Sequence, residues 1–377
     1  MVFDNVLLTG ATGVVGQHIL FELLNEFESN KREGKIYLVI RSQKELTALD
    51  RVTALLQHPF RPDYLKAYTL DKLMSRIGII DTDLTSPKIN RLLNLTTQDN
   101  VCVIHCAAST NLMSSEEAEK ELKFANYHAS LNILNATLKF ARKFVFISTA
   151  FSCGIREGFV DENYLDYNQT RFRNPYERYK SLAEKEIVAT CKSKGVAVQI
   201  LRPSIVCGRL LDAPLYYTPK YDVFYGYTKF FYKLMETPFS KTSLRVTAAP
   251  KRAVSNVIPV DYVAKAVIAA MDRDDILQMN IAHSRSVPLE FSFPKMVELG
   301  GYKNYQIVDS VPKDMNMLEA LYYAEVGNIS TPYLYDGTFE FDARTVRELL
   351  AHIPEPDVVK NTDAIFEFAV SQQFKNN

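Results

Sequence analysis

The segment Thr9-Gly10-Ala11-Thr12-Gly13-Val14-Val15-Gly16 constrains this chain more than any other, because it sits between an apolar run and a helical pattern. Asn5–Thr9 reads as a strand and Val14–Asn25 as a helix of period 3.6. Glycines spaced this way serve a tight turn, close approach of the backbone to a pyrophosphate, and contact between helix and strand. The helix N-terminus then offers unpaired N–H groups and the positive end of its dipole to phosphate. The segment predicts a dinucleotide site carried by Thr9, Gly10, Thr12, Gly13, Val14, Val15 and Gly16.

The chain continues as alternating strand and helix patterns. Further strands are expected at Ile36–Ile40, Ile77–Ile80, Val101–His105, Phe144–Ser148 and Ala197–Leu201, with a helix over Asn126–Ala141. Continuous apolar strands separated by helices predict a parallel sheet covered on both faces. That is an α/β, doubly wound dinucleotide-binding (Rossmann) architecture, which binds ligands at the carboxyl ends of its strands. After Arg202 the texture changes, and residues 216–232 hold nine aromatics. They suit helix packing or a subunit interface, or else an apolar wall or lid over a substrate. A helix near Asp261–Met271 and a strand near Gln278–Ile281 return to the first core. The expected division is a dinucleotide-binding domain of residues 1–205 plus about 255–283, and a smaller, discontinuous substrate region of about 206–254 plus 284–377.

Composition excludes some roles. With 44 basic and 44 acidic residues the chain has no cationic excess to release counterions from nucleic acid, so that partner is not expected. No apolar stretch is long enough to span a bilayer, and the first residues read as strand and turn rather than a leader, so a cytoplasmic location is expected. Cys102, Cys106, Cys153, Cys191 and Cys207 are odd in number and lie mostly in strand-like runs, as reduced core residues do. His105 ends the fourth strand as a packing residue. No second histidine stands at ligand spacing, and no metal site is expected.

Within the cofactor site, Arg41 ends the second strand where an acid would bind a ribose 2′-hydroxyl. An arginine there suits a 2′-phosphate and points to NADPH over NADH. Asp83 and Leu84 follow the third strand toward the adenine, and the small Ala107 and Ala108 follow the fourth. Tyr176 and Lys180 are four apart and share a helix face. An ammonium beside a phenol lowers the phenol's pKa and makes it a usable general acid. Tyr68/Lys72, Tyr216/Lys220 and Tyr225/Lys229 have the same spacing, but only Tyr176 follows the fifth strand. That strand's end supplies the hydroxyl of Thr149, beside Ser148. Asn174 as cap and Pro175 at the first helical position place Tyr176 on a first turn.

Taken together, TGATGVVG, HCAASTN, FISTAF, NPYERYK with SLAE, LRPSIVCG and IPVDYVAKAV resemble the extended short-chain dehydrogenase/reductase family, in its order from residue 7 to about 267. The resemblance implies a catalytic set of Thr149, Tyr176 and Lys180, with Lys180 also holding the nicotinamide ribose. It adds Asn126 as the helix asparagine that supports the lysine through water, and Pro203 and Ser204 beside the nicotinamide. Tyr37–Arg41, the Asp83–Pro87 segment and the insertion Leu55–Arg76 are most similar to the fatty acyl-CoA reductase and thioester reductase branch. Val14, where that branch has an aromatic, and Tyr179, where it has a serine, depart from its pattern. The resemblance implies NADPH-dependent reduction of an acyl thioester to an aldehyde or alcohol. The donor would be coenzyme A or a separate acyl-carrier protein, and a homodimer is one assembly it allows. Other readings keep the fold: oxidation or reduction of a ketone or alcohol on a sterol-like or small metabolite, nucleotide-sugar epimerisation or dehydration, and non-catalytic dinucleotide sensing.

Overall fold

Successive residues of a strand point to opposite faces of a sheet, and here both faces are apolar. The computed structural model describes residues 3–29, 31–86, 89, 100–249, 253–335 and 339–376. Seven strands pair in parallel: β1 (Asn5–Thr9), β2 (Ile36–Ile40), β3 (Ile77–Asp81), β4 (Val101–His105), β5 (Ala141–Ile147), β6 (Ala197–Pro203) and β7 (Gln278–Ile281). Their order is β7-β6-β5-β4-β1-β2-β3. Leu8, Leu38 and Ile104 join one core under α1 (Val14–Glu28), α2 (Ala48–Gln57) and later helices. Leu7, Val39 and Val103 join the other, under α3 (Ala129–Thr137) and α4 (Pro175–Lys194). The expected doubly wound sheet is present.

The chain runs outward from β1 to β3, then returns to place β4 on the other side of β1. The crevice between the carboxyl ends of β1 and β4 is thus the topological switch point, where such sheets bind ligands. Several segment bounds differ from the sequence reading, among them α1, which runs to Glu28, and β3, which runs to Asp81. β5 starts at Ala141, earlier than Phe144, because the strand can bury Lys143. Its ammonium donates to the carbonyls of Met271 and Arg273 at 3.0 and 2.8 Å, just past the end of α5 (Val260–Met271), and pairs with Asp274 at 2.9 Å. A cation is favourable at a helix C-terminus. The segment expected as one helix from Asn126 opens with a wide π turn over Lys123–His128 before α3. β6 runs on to Pro203, two residues beyond the expected Leu201.

A further apolar cluster forms outside the sheet. It brings together the helix Gly226–Leu234, the parallel pair Leu244–Thr247 and Tyr305–Val308, α6 (Leu289–Leu299) and α7 (Val326–Tyr335). The last helix, α8 (Val358–Ser371), packs Ile365 and Phe366 against the 205–225 segment. Of the nine aromatics in 216–232, Tyr217, Tyr221, Tyr225, Tyr227 and Phe231 are buried, so most of the stretch is packing.

Candidate active site

β1 turns into α1 on Gly10, whose φ of +76° is one that glycine tolerates. A Cβ there would stand 2.6 Å from the Ala107 nitrogen, and one on Gly16 would stand 2.1 Å from the Gly10 oxygen. No side chain fits at either position, so backbone lines the crevice as a phosphate cradle requires. Thr9 braces the turn from beneath. Its hydroxyl oxygen accepts from the amides of Cys106 and Ala107, at 3.3 and 3.2 Å, and the hydroxyl donates to His105 Nδ1 at 2.7 Å. Nε2 of His105 then carries the proton and donates to Ser130 Oγ at 2.9 Å, and Ser130 donates to the Asn126 carbonyl at 2.6 Å. This tautomer follows from the partners. Burial, aided by the charge of Lys180, pulls His105 down to about 3, so the ring is neutral. It joins the glycine turn to the far helix and is, as expected, a core residue.

At the other end of the crevice, Arg41 is exposed and pairs with Asp83 at 2.6 Å. Asp83 also accepts from the Thr85 amide and hydroxyl at 2.9 and 2.6 Å. Those bonds and Arg41 outweigh its partial burial and hold its carboxyl below the usual range. The Leu84 carbonyl accepts from Asn132 Nδ2 at 2.5 Å. Pro87 lies outside the described residues. A second arginine stands here that sequence reasoning missed. Arg51, on the first turn of α2, donates to the Arg41 carbonyl at 2.6 Å and to Thr12 Oγ1 at 3.1 Å. Its placement depends on the Thr47–Asp50 capping box of α2. That box was readable, but not that it aims an arginine at the glycine turn.

Thr149, Tyr176 and Lys180 come together where β5 ends and α4 begins. Asn174 caps α4 by accepting from the Glu177 amide at 3.1 Å, and Pro175 follows, as expected. The Thr149 hydroxyl contacts the Tyr176 phenol, and its oxygen also accepts from the Phe151 amide at 3.3 Å. Lys180 is buried and donates to the Ile147 carbonyl at 2.8 Å. Burial lowers Lys180 to about 8, while Cys106 and Glu184 oppose the fall. The phenol differs from expectation: burial, then Cys106 and Glu177, push Tyr176 above its ordinary value. The physical reason is the phenol's own burial, which disfavours a phenolate more than the Thr149 hydroxyl favours it. Tyr176 therefore keeps its proton at neutral pH.

Ser148, adjacent to Thr149, is committed elsewhere. Its hydroxyl donates to Glu184, as does that of Ser152 at 2.6 Å. The same carboxylate forms a fork with Arg202, whose Nη2 lies 2.7 Å from it. The pair is buried, with the guanidinium 4.0 Å from the Tyr164 ring centroid. Glu184 lies in the SLAE run, but nothing in the sequence gave it a partner. Asn126 is buried too, and its side chain pins the backbone of Ser109, accepting from its amide at 2.7 Å and donating to its carbonyl at 2.9 Å.

A cavity of about 640 Å³ runs from Gly13–Gly16 past Ala108, Thr149, Tyr176, Lys180, Pro203 and Ser204. The Ser204 hydroxyl is buried there without a protein hydrogen-bond partner, a vacant donor and acceptor suited to a ligand amide. Glycine cradle and free hydroxyl together fit a nicotinamide dinucleotide. Beyond Tyr176 the walls become apolar, with Tyr227, Leu289, Ile329, Leu334 and Phe339. Phe224 and Tyr227 bring the aromatic stretch into this wall.

Residues 8–267 match the family described as male sterility protein, whose members bind a nicotinamide dinucleotide. Fatty acyl-CoA reductase 1 of Mus musculus is 27% identical over 298 residues, covering 71% of this chain and 54% of that protein. UDP-glucose 4-epimerase of Vibrio cholerae is 28% identical over 217 residues, covering 54% of this chain and 52% of that protein. The chain thus spans about half the length of these curated relatives. Among solved structures, the terminal R domain from the myxalamid PKS-NRPS biosynthetic pathway superposes with a TM-score of 0.69 at 19% identity, covering 100% of this chain and 92% of that one. UDP-glucuronic acid 4-epimerase from Bacillus cereus, in complex with NAD, superposes at 0.64 and 17%, covering 99% and 98%. These two likenesses establish the fold. The cradle, the dinucleotide crevice and the match over most of the chain agree: this chain belongs to the male sterility protein family of nicotinamide-dinucleotide-binding proteins.

Proposed function

We propose that the chain is an NADPH-dependent reductase that converts an acyl thioester to an aldehyde or alcohol. The observation that carries this reading is the single cavity that passes from the glycine cradle across Thr149, Tyr176 and Lys180 into an apolar chamber. A pocket of that lining suits an acyl chain better than a sugar. The likeness to fatty acyl-CoA reductase 1 supports the same substrate class. In this reading residues 1–205 plus about 255–283 hold the dinucleotide, and about 206–254 plus 284–377 hold the acyl group.

A bound nicotinamide supplies the hydride. The preference for NADPH rests on Arg41 and Arg51, two cations at the ribose end of the crevice, where a 2′-phosphate is favoured. The carbonyl oxygen of the thioester sits between the hydroxyls of Thr149 and Tyr176, which donate to it as it gains negative charge. The carbon–sulfur bond then breaks, the thiolate leaves and takes a proton, and an aldehyde forms. Where a second hydride reduces the aldehyde, Tyr176 donates its phenolic proton to the alkoxide. Lys180, held by the Ile147 carbonyl, orients the ribose. Asn126 holds the Ser109 backbone next to Ala108, which lines the same cavity.

The epimerase relative keeps a nucleotide-sugar reading alive, and one assay separates the two. NADPH and NADH consumption is followed with acyl-CoA thioesters of graded length, with free aldehydes and with ketones. Turnover of thioesters with free thiol released supports the proposal. Turnover of carbonyl compounds alone reassigns the chain to simple aldehyde or ketone reduction, and silence throughout points to a sugar nucleotide or a sensing role.

A further inference from the structure

The first turn of α4, which carries Tyr176, is held by a residue from the opposite wall of the cavity. Tyr333 of α7 lines the cavity. Its ring stands edge-on to that of Phe151, with centroids 5.6 Å apart and planes at 86°, just beyond Thr149. Its hydroxyl accepts from Asn174 Nδ2 and donates to Glu177 Oε1, both at 2.8 Å. Asn174 is the cap of α4, and Glu177 is fully buried on its first turn. The other Glu177 oxygen accepts from the Arg173 amide at 3.0 Å, and the Arg173 guanidinium lies 3.5 Å from Oε1. A phenol has one proton to donate, and Tyr333 spends it on this carboxylate while also receiving the cap's amide. Phenylalanine at 333 would therefore leave two buried polar groups short of a partner.

We infer that Tyr333 is a positioning residue for the reaction: its two hydrogen bonds fix the first turn of α4 and so hold the Tyr176 phenol at the Thr149 hydroxyl. An acyl chain seated against α7 thereby bears on the turn that carries the proton donor. The inference rests on the proposed role of Tyr176. Its sequence signal was absent, because Tyr333 is 156 positions from Glu177 and lies in a segment with no motif.

Tyr333→Phe keeps the ring contacts and removes only the hydroxyl. With hexadecanoyl-CoA and NADPH, kcat should fall about tenfold to a hundredfold, since misplacement near 1 Å costs up to about 10²-fold. KM for hexadecanoyl-CoA and Kd for NADPH should stay within about twofold. An unchanged kcat overturns the inference. A second readout needs no turnover. With tyrosines labelled by ¹³C at Cζ, the Tyr176 resonance is identified by its loss in Tyr176→Phe. Tyr333→Phe should shift or split it, whereas Tyr167→Phe, which removes a hydroxyl bonded to Asp161, should not. An unmoved Tyr176 resonance in Tyr333→Phe overturns the inference whatever the substrate. A moved resonance in a chain that ignores thioesters sustains it and sinks the thioester reading instead. Glu177→Gln, which weakens the same contact, is read in the same way should Tyr333→Phe not fold.

Discussion

The Glu184 carboxylate accepts a hydrogen bond from Ser148, and this contact commits one of two adjacent hydroxyls to the protein interior. Thr149 is left as the hydroxyl at the Tyr176 phenol. Thr149→Val should lower kcat by about 10²- to 10³-fold, the loss typical of one removed oxyanion donor. Ser148→Ala should leave kcat within about threefold and cost about 1 kcal/mol of stability, because Glu184 retains Ser152 and Arg202. Steady-state NADPH consumption and urea unfolding of both variants test this. A larger kinetic loss in Ser148→Ala would exchange the two roles.

Arg51 reaches the glycine turn at Thr12 and donates to the Arg41 carbonyl, while the Arg41 guanidinium pairs with Asp83. Replacing either by alanine should weaken NADPH binding about tenfold to a hundredfold, the worth of one charged hydrogen bond of about 1.5–3 kcal/mol. NADH binding should change by less than about threefold. Isothermal titration with both dinucleotides decides it, and equal losses for the two would remove the 2′-phosphate assignment.

Lys180, lowered to about 8 by its burial, places a limb on the pH profile. The ammonium is the working form, present below that value and lost above it. In the free enzyme kcat/KM should therefore decline as pH rises through about 8. Lys180→Arg, always charged, should be less active but free of that limb. A profile flat to pH 10 in the native protein would show that the lysine's charge is not needed.

His18 and His105 predict acid lability. Burial first, with Arg209 beside His18 and Lys180 beside His105, brings each down to about 3 from the ordinary 6.5. Both are neutral in the fold but take a proton when unfolded below about 6.5. Their stabilisation is whole above that pH and drains away as pH falls toward about 3. The urea midpoint should drop steadily as pH falls from about 6.5 toward about 3, and His105→Gln should flatten the drop. Parallel curves for native and variant would exclude His105 as a contributor.

The glycine turn, the sheet and the start of α4 were legible because each is a local matter of backbone or period. Gly10, Asn174 and Pro175 act within a few residues of themselves, and strand alternation of Leu7 and Leu8 sorts the two faces. Glu184–Arg202, Arg51 and Tyr333 were not legible, since each depends on which distant element arrives beside it. The raised phenol of Tyr176 was missed for a related reason: spacing places Lys180 on the same face but does not reveal that the fold buries the phenol beside Glu177 and aims the ammonium at the Ile147 carbonyl.

The pairing of β1 with β4 also sets an order of assembly. Thr9 and His105 are 96 positions apart, so a chain emerging from the ribosome has no dinucleotide crevice until β4 has docked. The acyl chamber closes later still, once α7 delivers Tyr333 to the cap of α4. A nascent chain thus acquires the phosphate end of its cofactor crevice first, and the nicotinamide end only once Lys180 and Ser204 have arrived.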